Sequence, residues 1–507
     1  MSKLAVASFV IAAMVLFGTV AHAATYTVSK IADTNDGVCD ADCSLREAVA
    51  AANATVTNDI VIFSALFSTP QTIVLSGSEI VVASNGSLTI NGPGAANLTI
   101  DGNLTSRILS SSANAVVNID GLRFTRGNGV GAVNTGRGGA IYNVGGTMVI
   151  SNSIITGNTA PNGGGLNNAA SAAPSVPATL TINGCIVSNN TAAGSGGGMQ
   201  NFSTSTVAIN NSLFVGNTSN GATGGGGGQF NGGVFITNST FANNSAPAGS
   251  GGGMQSNGTL GAILTNVTFS GNFSQTAGGG IHRGTTNTQF FIRNSIVAGN
   301  TGTAGSPDVT NSAGGLHSEG NNIIGFAGLS DGWIGTDLLN TNPMLGPLAN
   351  NGGFSQTFLP QSGSPAINGG QNCVVNSSCS ANNAPVNVTS DQRGTGRPAG
   401  PLVDIGSVEI GPTAAGVVVA GRVLSQSGRG IRGAVVQMTG VDGTTRTTLT
   451  GPSGSYQFED VEAGQTYVME VVSRRFTFVP VVISVKDNLT DIDLIAEADG
   501  RASEKFR

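Results

Sequence analysis

The sequence predicts an all-β protein in which a parallel β-helix with a short N-terminal capping helix is followed by a small β-sandwich. Two observations carry this prediction. A short phrase of strand-forming residues recurs between about residues 116 and 301, and a fixed period of roughly 20 to 50 residues is typical of repeat architectures. After residue 416 the pattern changes to alternating strands separated by short Gly-containing turns, which is typical of a sandwich.

Each clear copy of the repeat ends in an asparagine, and these asparagines follow one another at intervals of 27 to 32 residues. They are Asn158, Asn190, Asn217, Asn244, Asn272 and Asn300. Apolar residues stand eight and ten positions before each of them, and a spacing of two places side chains on one face of a strand. Each copy therefore predicts a strand, an Asn-containing bend, a second strand, a Gly-rich turn and a third strand.

One copy cannot bury its own apolar face, whereas stacked copies can. Propeller blades need about 40 residues or more, and leucine-rich repeats need a Leu/Asn spacing that is absent here. Equivalent residues of stacked coils lie about 4.8 Å apart, so the Asn columns are predicted to form side-chain amide ladders. We interpret the many Asn-x-Ser/Thr matches as bend chemistry rather than as glycan sites, since Asn tolerates the left-handed bend conformation.

The composition limits the classes of partner. The chain has 507 residues, of which 77 are Gly and only 9% are charged, and its net charge is −6. Without a basic tract there is no reason to expect nucleic acid or an anionic membrane as partner. The periodic apolar columns argue against disorder in spite of the low charge.

Residues 1–23 are predicted to be a secretory signal peptide. Lys3 precedes the apolar stretch Leu4–Val20, and Ala21-His22-Ala23 has the pattern of a cleavage site. The alternative is a retained membrane anchor. No later stretch is long and apolar enough to span a bilayer, so we expect the mature protein to be exported, secreted or at the cell surface, without a transmembrane span. Disulfides are permitted there.

Residues 24–70 are predicted to cap the open end of the solenoid with a helix that begins at a capping box of Ser44 and Glu47. Cys39 and Cys43 flank an acidic loop, and a disulfide between them is the simplest interpretation in an exported protein. The loop carries four aspartates but lacks the spacing of a known calcium loop, so no metal is assigned. These aspartates are Asp33, Asp36, Asp40 and Asp42.

The segment DGVCDADCSLREAVAAAN (36–53) resembles the CSLREA segment at the N-terminus of bacterial exported β-helix proteins. The stretches 320–326, 337–370 and 391–409 resemble the choice-of-anchor Q region that closes many such proteins, which implies a closing region at 331–410. The repeats between, at 71–330, are similar to the pectin-lyase-like superfamily, whose β-helices are right-handed. GGAIYN (138–143), with FANN and FSGN, is similar to repeats of chlamydial polymorphic membrane proteins, which are surface adhesins.

Three further cysteines have different expected roles. Cys373 and Cys379 are predicted to pair across a small loop of the closing region. Cys185 occupies a column that holds Ser in other repeats and is expected to be a buried, inert thiol rather than a nucleophile. A four-cysteine zinc site is excluded because the two pairs lie at opposite ends of the solenoid.

Residues 411–416 are predicted to be a linker, 417–497 a sandwich and 498–507 a tail. The sandwich sequence, with G-x-V…G-A-V-V and T-x-x-G-x-Y-x-F, resembles the carboxypeptidase regulatory-like domain. That resemblance implies an immunoglobulin-like or transthyretin-like fold and a non-catalytic accessory module. The fold by itself predicts no activity.

Catalysis on the solenoid is disfavoured by the distribution of titratable residues. There is no Asp or Glu from Gly121 to Pro307, and the two histidines of the predicted mature chain, His282 and His317, are distant in sequence. Hydrolases of similar fold need paired carboxylates, and the lyases need carboxylate-bound calcium and a base. No catalytic residue, metal or cofactor is assigned. The alternative is a polysaccharide lyase or glycoside hydrolase acting at terminal carboxylates, namely Asp120, Asp308 or Asp331.

Binding is the favoured function. The residue after the inward apolar one, just past each Gly-rich turn, is expected to face solvent; these residues are Tyr142, Asn167, Gln200, Gln255 and His282. Amide and aromatic side chains in a row suit glycans, although they are also ordinary solvated strand residues. The sequence thus predicts an exported, non-enzymatic surface or extracellular protein for adhesion, presentation or glycan contact.

Overall fold

The computed structural model describes residues 23–499 with the exception of 84, 259, 285–288, 303–306, 312–314, 412–416, 441–442, 462–464 and 486–487. The predicted signal peptide, apart from Ala23, lies outside these residues, as do most of the predicted linker and residues 500–507 of the predicted tail. The chain divides after Glu409 into two compact units. In the described part of the chain, no helix is both long enough and apolar enough to cross a membrane.

The first unit begins with the expected cap. One α-helix, Leu45–Asn53, follows the first strand, and its buried side chains close the end of the core. The Ser44 amide donates to Glu47 Oε2 at 2.7 Å, and the Glu47 amide donates to Ser44 Oγ at 3.1 Å. The predicted capping box is confirmed, and it satisfies two amides at the helix start that have no partner within the helix. A 3₁₀ turn follows at Ala65–Ser68.

Most of the first unit is a solenoid of parallel strands, which confirms the predicted fold class. Sheet 1 has eleven strands: Thr25–Val28, Asp59–Phe63, Ser87–Asn91, Val116–Asp120, Thr147–Ser151, Thr179–Asn183, Thr206–Asn210, Gly233–Thr237, Ala262–Thr265, Phe290–Arg293 and Leu316–Gly320. Sheet 2 also has eleven: Gln71–Val74, Leu98–Asp101, Arg123–Thr125, Ile154–Thr156, Ile186–Ser188, Leu213–Val215, Thr240–Ala242, Thr268–Ser270, Ile296–Val297, Ile323–Ile324 and Leu338–Leu339.

Two further sheets complete the coils. Sheet 3 has six strands: Thr159–Asn162, Thr191–Ser195, Thr218–Ser219, Ser245–Ala246, Phe273–Ser274 and Thr301–Gly302. Sheet 4 has nine: Ile80–Val82, Leu109–Ser111, Ile141–Val144, Leu166–Ala169, Met199–Asn201, Gly228–Phe230, Met254–Ser256, Ile281–Arg283 and Val309–Asn311. The central coils thus have four strands where the repeat pattern predicts three. Sheet 3 gives no sequence signal because its strands are short and small-residue-rich, without apolar alternation.

The core is made of inward-facing columns that the repeat predicts. Ile150, Ile182 and Ile209 are fully buried and pair in register from one coil to the next. Three phenylalanines in another column stack with ring centroids 4.7 Å apart, namely Phe214, Phe241 and Phe269. That distance is the strand spacing itself, so aromatic stacking adds to the burial energy of each coil.

The closing asparagines form the predicted amide ladder. In each rung the Nδ2 group donates to Oδ1 of the next asparagine at 2.7 to 3.0 Å. The ladder ends at Asp308, whose Oδ1 accepts from both the amide and the Nδ2 group of Asn300 at 2.7 and 2.8 Å. A carboxylate suits this end because it accepts hydrogen bonds and donates none. Its other oxygen accepts a hydrogen bond from the Phe326 amide at 2.7 Å.

Asparagines in the left-handed conformation form the bends between sheets 1 and 2, and two of them, Asn238 and Asn266, begin Asn-x-Ser/Thr motifs. Five bend asparagines have φ angles of 45 to 53°: Asn152, Asn211, Asn238, Asn266 and Asn294. Glycine occupies the equivalent position at Gly184, with φ 57°. Only Gly and Asn adopt this left-handed conformation at low cost. We call these residues the bend column.

Both predicted disulfides are present, Cys39–Cys43 and Cys373–Cys379. Cys185 is fully buried, as predicted, and burial raises the pKa of its thiol to about 12. Because only the thiolate is nucleophilic, well below about 0.1% of the thiol is reactive at pH 8.

We expect native protein to show no thiol that reacts with Ellman's reagent at pH 8, and one reactive thiol per chain after unfolding in guanidinium chloride. The reason is that Cys185 is both buried and protonated, while the other four cysteines are in disulfides. A free-thiol count during a slow denaturant titration checks this. Stoichiometric reaction of the native protein within minutes would contradict it.

After the last coil, Leu345–Ala349 and Thr357–Pro360 form an antiparallel pair, and a 3₁₀ turn spans Asn372–Val375. We call residues 342–409 the closing segment. In the second unit the sandwich consists of a three-stranded sheet (Ser455–Val461, Val417–Leu424, Leu494–Ile495) and a four-stranded sheet (Thr445–Leu449, Val435–Gly440, Thr466–Val472, Val481–Ser484). Phe476–Thr477 pairs with Ala498–Asp499, so the first two residues of the predicted tail form a strand.

Candidate functional site

The column predicted to contact a ligand is not exposed. Tyr142 is fully buried, and Asn167, Gln200 and Gln255 are 1, 4 and 7% exposed. His282 is partly buried. The expectation that these side chains face solvent is therefore wrong, and the ligand-binding role stays a prediction that lacks the accessible surface it needs.

The reason for this burial is a second amide ladder. Asn167 Nδ2 donates to Gln200 Oε1 at 3.1 Å, Gln200 Nε2 to Gln229 Oε1 at 2.7 Å, and Gln229 Nε2 to Gln255 Oε1 at 3.2 Å. The side chains therefore lie along the stack instead of projecting from it. The Gly-rich turn packs against them, since a Cβ added at Gly225 would lie 2.9 Å from Gln229 Cβ.

The carboxylates considered for catalysis are dispersed. Asp308 is the buried end of the asparagine ladder, Asp331 accepts from Asn311, and Asp120 accepts from Asn152 Nδ2 at 2.7 Å. In the acidic loop, Asp33 pairs with Arg46 at 2.8 Å. Within the described ranges no group of three His, Cys, Asp or Glu residues is arranged to hold a metal ion.

The closing segment folds back along the bend column, and the bend asparagines hold its backbone. Asn266 Nδ2 donates to the Asp404 carbonyl at 2.9 Å. Asn294 Nδ2 donates to the Gln371 carbonyl at 3.2 Å, and Asn294 Oδ1 accepts from the Gln371 amide at 2.9 Å. The bend column is thus a row of amides, two of which bind the backbone of the closing segment, at Asp404 and at Gln371.

A buried ion pair fixes the closing segment. Arg397 Nη1 lies 2.7 Å from Glu409 Oε2, and both side chains are fully buried. The same guanidinium donates to the carbonyls of Asp404 and Gly406 at 3.0 and 2.8 Å.

Asp391 and Arg393 lie beside this ion pair and make a turn contact. The Arg393 amide and Nε donate to the two oxygens of Asp391 at 2.8 and 2.9 Å. The contact is structural, since it engages both carboxylate oxygens of Asp391 and fixes the Arg393 side chain against the turn.

A groove opens where the closing segment leaves the bend column. Its cavity volume is about 320 Å³, and its walls include Asn152, Asn183 and Asn211 from the solenoid and Phe354 and Arg393 from the closing segment. We call it the bend-column groove. Asn152 is exposed and Phe354 is 46% exposed, whereas Asn211 Oδ1 is buried and has no hydrogen-bond partner among the described residues.

The lining of the groove is suited to a polar, uncharged ligand. Amides both donate and accept, and an accessible ring offers an apolar face. Arg393 is held by the carbonyls of Asn351 and Glu409 at 3.2 and 2.6 Å and by Asp391. Sequence reasoning missed this site because Phe354 and Arg393 lie about 150 to 240 residues after the bend asparagines, and only the closing segment brings them together.

Comparison with known families identifies one part of the chain. Residues 418–494 match the model of the carboxypeptidase regulatory-like domain, and these residues contain the seven strands of the two main sandwich sheets, except for the first residue of Val417–Leu424 and the last of Leu494–Ile495. The match covers less than half of the chain. No curated protein matches the sequence significantly. The chain thus combines a parallel β-solenoid with a C-terminal carboxypeptidase regulatory-like domain.

Proposed function

We propose that the chain is an exported, non-enzymatic surface or extracellular protein that contacts glycans through the bend-column groove. One observation carries the proposal. At Asn266 and Asn294 the bend column already hydrogen-bonds polar backbone groups, those of the protein's own closing segment at Asp404 and Gln371. At Asn152 and Asn211 the same column continues without that cover. A linear polymer rich in hydroxyl groups offers these amides the same kind of partner.

The surroundings of the groove support a sugar rather than a small ion. The Phe354 side chain, which is 46% exposed, provides a face against which a sugar ring can pack, and the exposed Asn152 provides a side-chain amide beside it. Among the described residues that line the groove, one carries a carboxylate, Asp391, and it is engaged with Arg393 and with backbone amides.

Export is part of the same proposal. The signal-peptide pattern of residues 1–23 and the resemblance of residues 36–53 to the CSLREA segment support it, and the resemblance of residues 331–410 to the choice-of-anchor Q region supports a role outside the cytoplasm. The Cys39–Cys43 and Cys373–Cys379 disulfides fit an oxidising compartment. Fractionation of cells that express the full chain, followed by N-terminal sequencing, tests cleavage after Ala23.

We expect Asn152→Gly, Asn211→Gly and Phe354→Ala each to weaken binding of a neutral oligosaccharide by about 3- to 10-fold, since each removes one hydrogen-bonding group or one ring contact. Glycine keeps the left-handed backbone of the two asparagines, so the loss reports the amide. The measurement is a glycan-array screen, followed by calorimetric titration of the best ligand.

The matched control is Asn189→Gly. Asn189 is exposed and has φ 52°, like the groove asparagines, but it lies outside the groove. It is expected to change affinity less than 2-fold. Equal losses in the control and in the groove variants, or no glycan bound by the parent protein, would reject the proposed site.

A polysaccharide lyase or glycoside hydrolase is the second candidate. It is favoured by one contact: Asp120 lies 2.7 Å from the groove residue Asn152, which puts a carboxylate at the edge of the groove. Incubation of the full chain with the bound polysaccharide, with and without calcium, tests it. Product formation that is abolished by Asp120→Asn would replace the non-enzymatic proposal.

A further inference from the structure

The sandwich unit contains a concave site that the proposed function does not use. A cavity of about 590 Å³ is lined by the guanidinium-bearing residues Arg432, Arg474 and Arg475 together with apolar residues such as Ile431 and Phe476. From these observations we propose that this cavity binds the carboxylate of a uronic-acid residue in an acidic glycan. We call it the arginine pocket.

Strand register brings the three arginines together. Val435 pairs with Val472 at one end of the two central strands of the four-stranded sheet. Arg432 precedes that end by three residues and Arg474 follows it by two, so both chain segments emerge on the same side. Arg432 and Arg474 therefore line one cavity, although they are about 40 residues apart in sequence.

The charges in the pocket have no internal counter-ion. Among the described residues none of the ion pairs within 4 Å includes Arg432, Arg474 or Arg475, and all three side chains are exposed. Like charges placed side by side repel one another. A bound oxyanion removes that repulsion and accepts the forked guanidinium hydrogen bonds that suit a carboxylate.

The apolar wall favours a sugar acid over a simple ion. The pocket is far larger than one inorganic anion, and Ile431, Val472 and Phe476 face it beside the arginines. Such a lining fits a ligand that joins a compact ring to a carboxylate.

The same strands argue against an extended peptide as ligand. Peptides that bind to sheets add to a free edge. The pocket lies at the ends of Val435–Gly440 and Thr466–Val472, and each of these strands is paired on both sides.

The test is calorimetric titration of the full chain with a glucuronate-containing tetrasaccharide, with the same tetrasaccharide whose carboxyls are reduced to alcohols, and with tetraglutamate. We expect saturable binding of the acidic tetrasaccharide that weakens as salt rises from about 20 to about 500 mM, because exposed charges are screened. The reduced sugar is expected to bind at least about 10-fold more weakly.

Single substitutions locate the site. Arg432→Gln and Arg474→Gln are each expected to weaken binding about 10-fold, the usual effect of removing a charge-assisted hydrogen bond. Arg429→Gln removes the same charge from an exposed residue outside the pocket and is expected to change affinity less than 2-fold.

Three results would overturn the inference: no saturable binding of the acidic tetrasaccharide, equal binding of its reduced form, or an equal loss in Arg429→Gln. Binding of tetraglutamate as tight as that of the sugar acid would instead assign the pocket to acidic peptides. Because the substituted arginines are exposed, circular dichroism of each variant is expected to match that of the parent chain.

Discussion

Replacing Arg397 with methionine is expected to lower the free energy of unfolding of the solenoid unit by about 3 to 5 kcal/mol. The substitution leaves Glu409 as a charge that is fully buried without its cation. It also removes the donors to the carbonyls of Asp404 and Gly406, which hold the closing segment against the bend column. The loss is therefore expected to combine an unpaired buried charge with two lost hydrogen bonds.

Urea titration followed by tryptophan fluorescence measures this change. The chain has a single Trp, Trp333, which packs against the end of the solenoid core, so the signal reports the solenoid unit alone. Arg126→Met breaks an ion pair in which the arginine is 47% exposed, and it is the matched control, with an expected loss below about 1 kcal/mol.

A double variant separates the charge from the contacts. Arg397→Met combined with Glu409→Leu removes both charges, and we expect it to regain a large part of the lost stability. If Arg397→Met alone loses less than about 1 kcal/mol, the pair does not hold the closing segment in place.

The second large effect is expected at the middle of the asparagine ladder. Asn217 is fully buried; its Nδ2 group donates to Asn244 Oδ1 and to the Val187 carbonyl, both at 2.9 Å. Its Oδ1 accepts from the amide and the Nδ2 group of Asn190 at 3.1 and 3.0 Å. Asn217→Ala leaves several of these groups buried without partners, and each costs about 1 to 3 kcal/mol. We expect a total loss of at least about 3 kcal/mol.

Hydrogen exchange read by mass spectrometry checks this prediction coil by coil, since repeat proteins open locally. The amides between 187 and 244 are expected to lose protection first. Asn220→Ala changes an exposed asparagine in the same coil and is expected to stay within about 0.5 kcal/mol of the parent. Uniform loss of protection along the solenoid, or none, would show that the ladder does not stabilise its own coils.

The repeat could be predicted from the sequence because its signals are local. Apolar columns, Asn bends and Gly turns each lie within one copy, and the register of Ile150 on Ile182 follows directly from the period. Sheet 3 could not be predicted because its strands have no apolar pattern of their own. Ser245–Ala246, for example, is held by pairing with the equivalent strands of the adjacent coils.

The candidate site was harder to predict for a different reason. Alternation correctly placed Gln200 on the opposite face from Met199, but it could not show that amide pairing and turn packing would bury that side chain. The bend-column groove forms because Asn152 and residues such as Phe354, about 200 positions later, line the same cavity. No pattern within a single repeat predicts that these distant residues lie close together.

The way the closing segment returns over earlier coils also sets an order of assembly. Coils can stack as soon as the next 27 to 32 residues are available, whereas the contact between Thr240 and Gln392 spans 152 residues. Closing that longer loop costs about 1.5 kcal/mol more in chain entropy than joining neighbouring coils. When the chain is synthesised from its N-terminus, the coils can therefore stack one after another. The closing segment can cover the bend column only after residues up to Glu409 have been synthesised. Until then the bend asparagines of the later coils are open to any extended strand, including one from another copy of the chain.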